Sequence, residues 1–579
     1  MPRPWAFRPH DPSAIGKLAQ QLRLAPLVVQ VLIARGFNTE DSSRAFLTSQ
    51  LSQLRDPSLL PGVDDAADRI VSALNAKRRI TIYGDYDVDG VTSTSVLWHC
   101  LTLAGGTVDY YIPSRLTEGY GLNSEAIRQL HEEDPGRLLV SVDCGIASID
   151  EAAVAAELGL ELIITDHHHI GSELPEAACL VHPRIPGTDY PFGDLCGVGV
   201  AFKLAWAICQ RLGDGKKASP RMREFLKSAV GLTAIGTVAD VVPLVDENRI
   251  IVRYGLHSIK DSPSLGLKAL MKVASLDEKP SLTAEDIGFG LAPRINAAGR
   301  LGQARLAVEL LTTSNGERAV ALADYVDELN NNRKTVERRI FKAAKEMVEQ
   351  HPEWEEHPTL VMAHHEWHPG VIGIVASRVA ERFEKPTVLI ALRDDGTGQG
   401  SGRSWAGYDL YSGLEAASGT LLGFGGHKAA AGVRIDAARV DEFRTSLANW
   451  TTGNFTPKDS DIELRVDAEV LLSEVTRRAV DDLNHLGPFG EANPTPRFAA
   501  SNVELVEPPR TMGEGGRHLS IRVRQNRTVM RAVAFGQGEW ADEISAVNGR
   551  LSICFAPVIN SFRGFEKVEL RLIDWKPAQ

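Results

Sequence analysis

RITIYGDYDVDGVTSTSVLWHCLTLAGG, residues 79–106, decides the reading of this chain. RITIYG (79–84) is a short apolar run rich in β-branched residues, as expected of a buried strand. VTSTSVLWHCLTLAGG (91–106) resumes helical spacing and stops on glycines. Between them lies a turn with three carboxylates, Asp85, Asp87 and Asp89, at i, i+2 and i+4. Downstream, VDYYIP (108–113), RLLVSV (137–142) and ELIIT (161–165) repeat the strand signal, with IDEAAVAAELG as a helix between the last two. The alternation predicts an α/β fold whose parallel sheet is covered by helices.

Outward from this core the pattern changes four times. Residues 1–64 are expected to form an N-terminal helical extension, from the apolar spacing in LAPLVVQVLIARGF and AFLTSQLSQL. The first α/β lobe spans 65–315. Residues 316–351 contain no Pro, and Gly only at the first position, which predicts one long connecting helix. A second α/β lobe follows over 352–450, with TLVMAHH and PTVLIAL as strands around the helical GIVASRVAERF. From 455 to 579, IELRVDAEV, HLSIRVRQ, RAVAFG, LSICFAPV and KVELRLIDW alternate in period two between turn-rich stretches. Short strands of this kind predict a small antiparallel barrel of the OB type, able to bind nucleic acid.

Composition narrows the function classes. The 579 residues are 43% hydrophobic and 24% charged, ordinary for a soluble globular protein. A net charge of −12 excludes a protein that coats nucleic acid by bulk positive charge, but leaves room for a local basic groove. The six cysteines form no CxxC pair and several sit in apolar runs, so free thiols in a reducing compartment are expected. The N-terminal MPRPWAFRPHDPS lacks the apolar core of a signal peptide, and no apolar run approaches 18 residues. The expected location is the cytoplasm, without membrane contact.

Three carboxylates this close repel one another unless a cation neutralises them or some are protonated. Carboxylate oxygens suit hard divalent ions such as Mg²⁺ or Mn²⁺. A calcium loop of the EF-hand type would need a Glu at position twelve, where this chain has Val96, and a helix rather than a strand upstream. Other clusters follow other strands. SVDCG (141–145) carries Asp143, IITDHHHIG (163–171) carries Asp166, His167, His168 and His169, and AIGTVADVVPL (234–244) carries Asp240. A single Asp after a strand is most often a helix cap. Several Asp and His clusters after the strands of one parallel sheet converge on its carboxyl edge. They supply enough ligands for two divalent ions, an arrangement that activates a water and neutralises a phosphoryl group during in-line displacement.

These stretches resemble the DHH phosphoesterase superfamily, named for the triplet found here as Asp166-His167-His168. The resemblance extends to the RecJ single-stranded-DNA exonuclease family through GDYDVDG, YIPSRLTEGYGLN, VDCG, DHHH, LCGVGVAFKLA, GTVADVVPL, LAPRINAAGRLG, HPGVIGIVASR, GSGRS, GFGGHKAAAG and LGPFGEANPTPRF, in that order along nearly the whole chain. It implies a DHH catalytic domain over 65–315 and a DHHA1 domain over 352–450. It implies metal ligation by Asp85, Asp87, Asp89, Asp143, His167 and Asp240, with the division of the first three between two ions left open. His168 is expected to contact the scissile phosphate or assist proton transfer, and Asp166 to orient a histidine; His169 receives no role.

In the second lobe, Gly425, Gly426 and His427 of GFGGH, together with Arg378, Ser401, Arg403 and Ser404, are expected to hold DNA phosphates. Arg294, Asn296 and Arg300 of PRINAAGR match a family motif near the cleft. Exposed arginines alone more often meet only solvent, and a glycine-rich loop alone is more often a tight turn. In the barrel the candidate contacts are Arg517, Arg522, Arg524, Arg527, Arg531 and Phe562, with aromatics sparse at 6% of the chain. The resemblance implies a monomeric 5′→3′ exonuclease on single-stranded DNA that releases 5′-mononucleotides and serves recombinational and mismatch repair. Its implied partners are a single-strand-binding protein and a RecQ-type helicase. A phosphodiesterase for short oligonucleotides or cyclic dinucleotides is the alternative; it would have no need of the barrel or the N-terminal extension. A non-enzymatic DNA-binding scaffold is a third reading, opposed by a filled set of metal positions.

Overall fold

The computed structural model describes residues 3–114, 118–547, 549–562 and 565–578. The chain divides into two compact units, Leu54–Asp461 and a second made of Met1–Gln53 with Ile462–Gln579.

The larger unit opens on a five-stranded, wholly parallel sheet. Its strands are β1 (Arg79–Tyr83), β2 (Thr107–Tyr111), β3 (Leu138–Val142), β4 (Glu161–Thr165) and β5 (Cys179–Val181), in spatial order β2-β1-β3-β4-β5. Every residue of β3 is buried, and all of β1 but its first, because helices cover both faces. Order reverses between β1 and β3, and the crevice at such a switch point is where open parallel sheets bind ligands. Helix α1 (Val88–Leu103) leaves β1 through the carboxylate turn, and Asp87 caps it by accepting the Gly90 N–H at 3.0 Å. The helix is buried on most sides. Its run of hydroxyls is tolerated because Thr92, Thr94 and Ser95 donate to carbonyls one turn back, at 2.7–2.8 Å. Helices α2 (Gly197–Arg211) and α3 (Pro220–Ala239) pack against α1, and α4 (Ala292–Arg300) follows further along.

Helix α5 (Gly316–Gln350) runs 35 residues, as the unbroken helical spacing predicts. It leads into a mixed sheet of β6 (Leu360–His364), β7 (Thr387–Leu392), β8 (Thr397–Arg403), β9 (Gly423–Gly426) and β10 (Ala430–Asp436), ordered β9-β10-β8-β7-β6. Only β6 and β7 run parallel, joined by helix α6 (Ile372–Phe383).

In the smaller unit, β11 (Phe498–Leu505), β12 (His518–Gln525), β13 (Thr528–Ala534), β14 (Leu551–Phe562) and β15 (Phe565–Pro577) close a ring in the order β11-β14-β15-β13-β12-β11. All pairs are antiparallel except β13 with β15. This is the five-stranded OB barrel predicted from the alternating segments. The helices of residues 12–47 belong to the same unit. Val28, Val31, Leu32 and Phe46 share one core with Phe498 and Phe555, and Trp5–Phe7 pairs in parallel with Leu464–Val466. An apolar run such as LVVQVLIA cannot bury itself within so short a segment, and the barrel side supplies the missing surface. All six cysteines are free and buried. Among the described residues no helix is long and apolar enough to cross a membrane.

Candidate metal centre

The three motif-one carboxylates, Asp143, the DHH triplet and Asp240 meet at the carboxyl edge of the first sheet. Asp85, Asp87 and Asp89 hang from the β1–α1 turn. Asp143 follows β3 in a left-handed conformation, φ 62, and its N–H is held by Thr165 O at 3.0 Å. His167 follows β4, and Asp240 ends α3.

Among the described residues three groups bring ligand atoms within 4.8 Å of one another: Asp85, Asp87 and Asp143; Asp89, His167 and Asp240; and Asp143, His167 and His168. Asp143 Oδ1 lies 3.2 Å from His167 Nε2 and so stands between the first two groups. His167 Nε2 is also 3.6 Å from Asp240 Oδ2 and 3.8 Å from Asp89 Oδ2. The structure thus divides the motif-one carboxylates, with Asp85 and Asp87 on one side and Asp89 on the other.

A divalent cation fits this cluster. Asp143 Oδ1 and His167 Nε2 are buried polar atoms without a hydrogen bond, and they face each other; such atoms are costly unless an ion completes them. The electrostatics agree. Burial and then the positive His168 hold His167 down to about 3, so the imidazole is neutral, as a ligand must be. Burial and then Asp87 push Asp89 up to about 7, burial and then Asp89 push Asp240 up to about 8, and Asp143 is driven well above the carboxylate range for the same reasons.

These shifts have a signed consequence. Without metal, the folded protein binds more protons than the unfolded chain between the ordinary carboxylate value and about pH 8, so stability falls as pH rises through that window. A bound cation replaces those protons. The gain in Tm on adding Mg²⁺ or Mn²⁺ is therefore expected to be larger at about pH 8 than at about pH 6. Titration calorimetry in two buffers is expected to report proton release on metal binding at about pH 6. Equal Tm gains and no proton release would contradict the shared-carboxylate cluster.

Asp166 is placed otherwise. Its Oδ1 accepts from the N–H groups of His167 and His168 and from His168 Nδ1, the last at 2.7 Å, while Oδ2 accepts from Ile146 N at 2.9 Å. It orients His168. Burial disfavours charge on His168, but the Asp166 hydrogen bond outweighs it and raises the ring to about 9, so His168 is an imidazolium beside the cluster. A second contact to this ring was not singled out in the sequence: the Tyr120 hydroxyl lies 2.9 and 3.1 Å from its two nitrogens. Nδ1 belongs to Asp166, so the Tyr120 contact falls to Nε2.

The sequence also conceals a backbone contribution. The N–H groups of Gly197 and Val198, at the start of α2, donate to the two oxygens of Asp89 at 2.6 and 2.8 Å. The helix N-terminus thereby balances a carboxylate charge. Residue 197 must be glycine, since a Cβ there would lie 2.4 Å from Asp143 Oδ1. Gly197→Ala is expected to weaken Mn²⁺ binding about 10–100-fold, as loss of ligand orientation does, with the circular dichroism spectrum unchanged. Wild-type affinity in a titration would refute the cradle.

The phosphate-contact candidates separate into two sets. Arg403 and Ser401 lie together at the N-terminus of α6, with Arg403 Nη1 donating to Ser401 Oγ at 2.9 Å. A Cβ on Gly373 would come within 2.8 Å of Arg403 Nη2, so the glycine admits the guanidinium to the helix end. Arg300 reaches the same HPG segment, donating to Gly370 O at 3.2 Å. Gly425 and Gly426 lie on edge strand β9, and the ring of His427 stands 6.4 Å from that of His169. In contrast, Arg294 is engaged by Asp327 and the carbonyls of Gly290 and Val273, and Arg378 by Glu337 and the ring of Phe341. Ser404 Oγ donates to Tyr408 O within its own turn, and Asn296 lies within α4.

On the barrel, Arg522 sits directly across from Arg531. Like charges opposite one another are unfavourable without an anion, although Arg531 is itself paired with Glu569. Arg524 is paired with Glu504, Arg517 bonds Glu514 O, and Arg527 is exposed at the β12–β13 turn. The side chain of Phe562 lies outside the described residues.

A parallel sheet edged with Asp and His clusters, followed by a mixed-sheet lobe, is the build of a DHH phosphoesterase. The DHH family N-terminal domain matches residues 79–237, the DHHA1 domain 357–453 and the RecJ OB domain 466–574. The single-stranded-DNA-specific exonuclease RecJ of Bacillus subtilis is 39% identical over 571 residues, 98% of this chain and 70% of that protein. RecJ of Thermus thermophilus in complex with Mn²⁺ superposes with a TM-score of 0.82 at 31% identity, covering 100% of this chain and 80% of that one. Its Mg²⁺ complex gives a TM-score of 0.75 at 28% identity, covering 100% and 79%. The chain belongs to the RecJ family.

Proposed function

We propose that this protein is a metal-dependent exonuclease that degrades single-stranded DNA from the 5′ end and releases 5′-mononucleotides. The observation that carries the proposal is the convergence of Asp85, Asp87, Asp89, Asp143, His167 and Asp240 on one sheet edge, with Asp143 Oδ1 and His167 Nε2 buried there without a hydrogen bond. Bound there, two Mn²⁺ or Mg²⁺ ions would supply Lewis-acid neutralisation of the phosphodiester and lower the pKa of the attacking water.

The chain's own residues do the remaining work. His168, charged and fixed by Asp166 through Nδ1, donates to the scissile phosphate through Nε2, which exchanges the Tyr120 hydroxyl for it. Ser401 and Arg403, at the positive end of α6, take the terminal phosphate, with Arg300 beside them and Gly425, Gly426 and His427 on the neighbouring strand. Arg294 and Arg378 reach DNA only by leaving their protein partners. Ser404 serves the turn that presents Arg403. The barrel, through Arg522 and its neighbours, holds the trailing strand by charge. This division assigns 65–315 to catalysis, 316–351 to the connection, 352–450 to phosphate binding and 455–579 to strand binding, with 1–64 as a helical extension. The reading includes action as a cytoplasmic monomer in recombination and mismatch repair, alongside a single-strand-binding protein and a RecQ-type helicase.

The test is incubation of purified protein and Mn²⁺ with end-labelled single and double strands. The expected result is early release of a 5′-label as mononucleotide from single strands only. Release from the 3′ end, or equal turnover of dinucleotides and long strands, would overturn the proposal.

A further inference from the structure

Beside the metal cluster the first lobe carries two backbone irregularities, and each turns an apolar side chain into solvent. Val241 directly follows Asp240. It is β-branched yet sits in the left-handed region, φ 61, a conformation such residues rarely adopt. Its side chain is 64% exposed. The second is a π-helical turn, Ile287–Leu291, of sequence IGFGL. Widened turns of this kind are rare and concentrate at functional sites. Here Ile287 and Leu291 are buried while Phe289 is 82% exposed, the highest value for a large apolar side chain among the described residues.

The turn lies against the end of α3. A Cβ on Gly288 would sit 3.9 Å from Val238 Cγ1, two residues before Asp240. On its other side the turn runs straight into α4, which ends at Arg300. Phe289 therefore projects from a turn packed on the helix end that carries Asp240.

A single exposed phenylalanine is ordinary surface. This one is displayed by a distorted turn that packs against the end of α3, and the strained, exposed Val241 directly follows Asp240 at that helix end. A strand whose phosphate reaches the carboxylates carries unpaired bases with it, and every base offers a π face that an aromatic ring can take without regard to sequence. Resting on the proposed function, we infer that Phe289 stacks on an unpaired nucleobase next to the scissile phosphate, and that Val241 extends this apolar surface towards the metal carboxylates.

The test uses the full-length protein with Mn²⁺ and two 5′-phosphorylated strands, one intact and one abasic at its first three positions. Stacking predicts that wild type works about tenfold less well on the abasic strand. Phe289→Ala is expected to lose about tenfold on the intact strand, chiefly in KM, and nothing further on the abasic one. Phe289→Trp is expected to restore the preference, with Mn²⁺ affinity the same in all three proteins. Wild-type behaviour of Phe289→Ala on intact strands would overturn the inference and leave the residue to a protein partner. An equal loss on both strands would overturn it as well, by showing that no base is involved. Strand affinity by fluorescence anisotropy makes the same comparison without turnover, so failure of the nuclease reading is told apart from failure of this one.

Discussion

Asp143→Asn is expected to abolish hydrolysis of single-stranded DNA, lowering kcat/KM by at least ~10³-fold, while raising the Tm of the metal-free protein. The first effect follows from position. Asp143 stands between the two ligand groups, 3.2 Å from His167 Nε2, so its loss disables both. Lewis-acid stabilisation of a phosphoryl transition state is worth several kcal/mol, and ~4 kcal/mol is about a thousandfold. The second effect follows from charge. Asp143 is 1% exposed and crowded by Asp85, Asp87, Asp89 and Asp240, which together with burial hold its carboxyl well above the ordinary range. Asparagine keeps the shape and removes the repulsion. A variant that is inactive but more stable without metal separates a ligand role from a folding defect. Retained activity, or a fall in the metal-free Tm, would contradict the assignment.

His168→Ala is expected to cost about 10²–10³-fold in kcat, the usual loss on removing one donor from a preorganised phosphate or oxyanion site, with Mn²⁺ affinity unchanged. His168 shares a ligand-like grouping with Asp143 and His167. Its Nδ1, however, is committed to Asp166 at 2.7 Å, and its charge is raised by that same bond. An imidazolium cannot ligate a cation, but it can donate to a phosphate. Calorimetric Mn²⁺ titration beside single-turnover cleavage decides between the roles. Loss of Mn²⁺ affinity would move His168 into the ligand set.

The parallel sheet and its acidic edge were legible because their signals are local. RITIYG, RLLVSV and ELIIT are buried on both faces and read as unbroken apolar runs, and each ends in the residues that matter. The barrel was legible for the same reason, as alternation within single strands. The spatial order of the strands was not, because it depends on which helix packs where. Nor was the fate of residues up to 53: Leu32 and Phe46 find Phe498 and Phe555 across more than four hundred positions. At the site, side-chain chemistry showed and backbone chemistry did not. The amides of Gly197 and Val198 hold Asp89 as firmly as a side chain would, yet an N–H has no letter of its own. Arg294 and Arg378 carry the right charge in the right motifs, but charge in a sequence does not reveal that Asp327 and Glu337 already claim it.

Crystals soaked in Mn²⁺ and measured at the manganese absorption edge test the central claim most directly. Two anomalous peaks are predicted, one against Asp85 and Asp87 and one against Asp89, His167 and Asp240, with Asp143 touching both. A single peak elsewhere, or none within reach of His167 Nε2, would contradict the account.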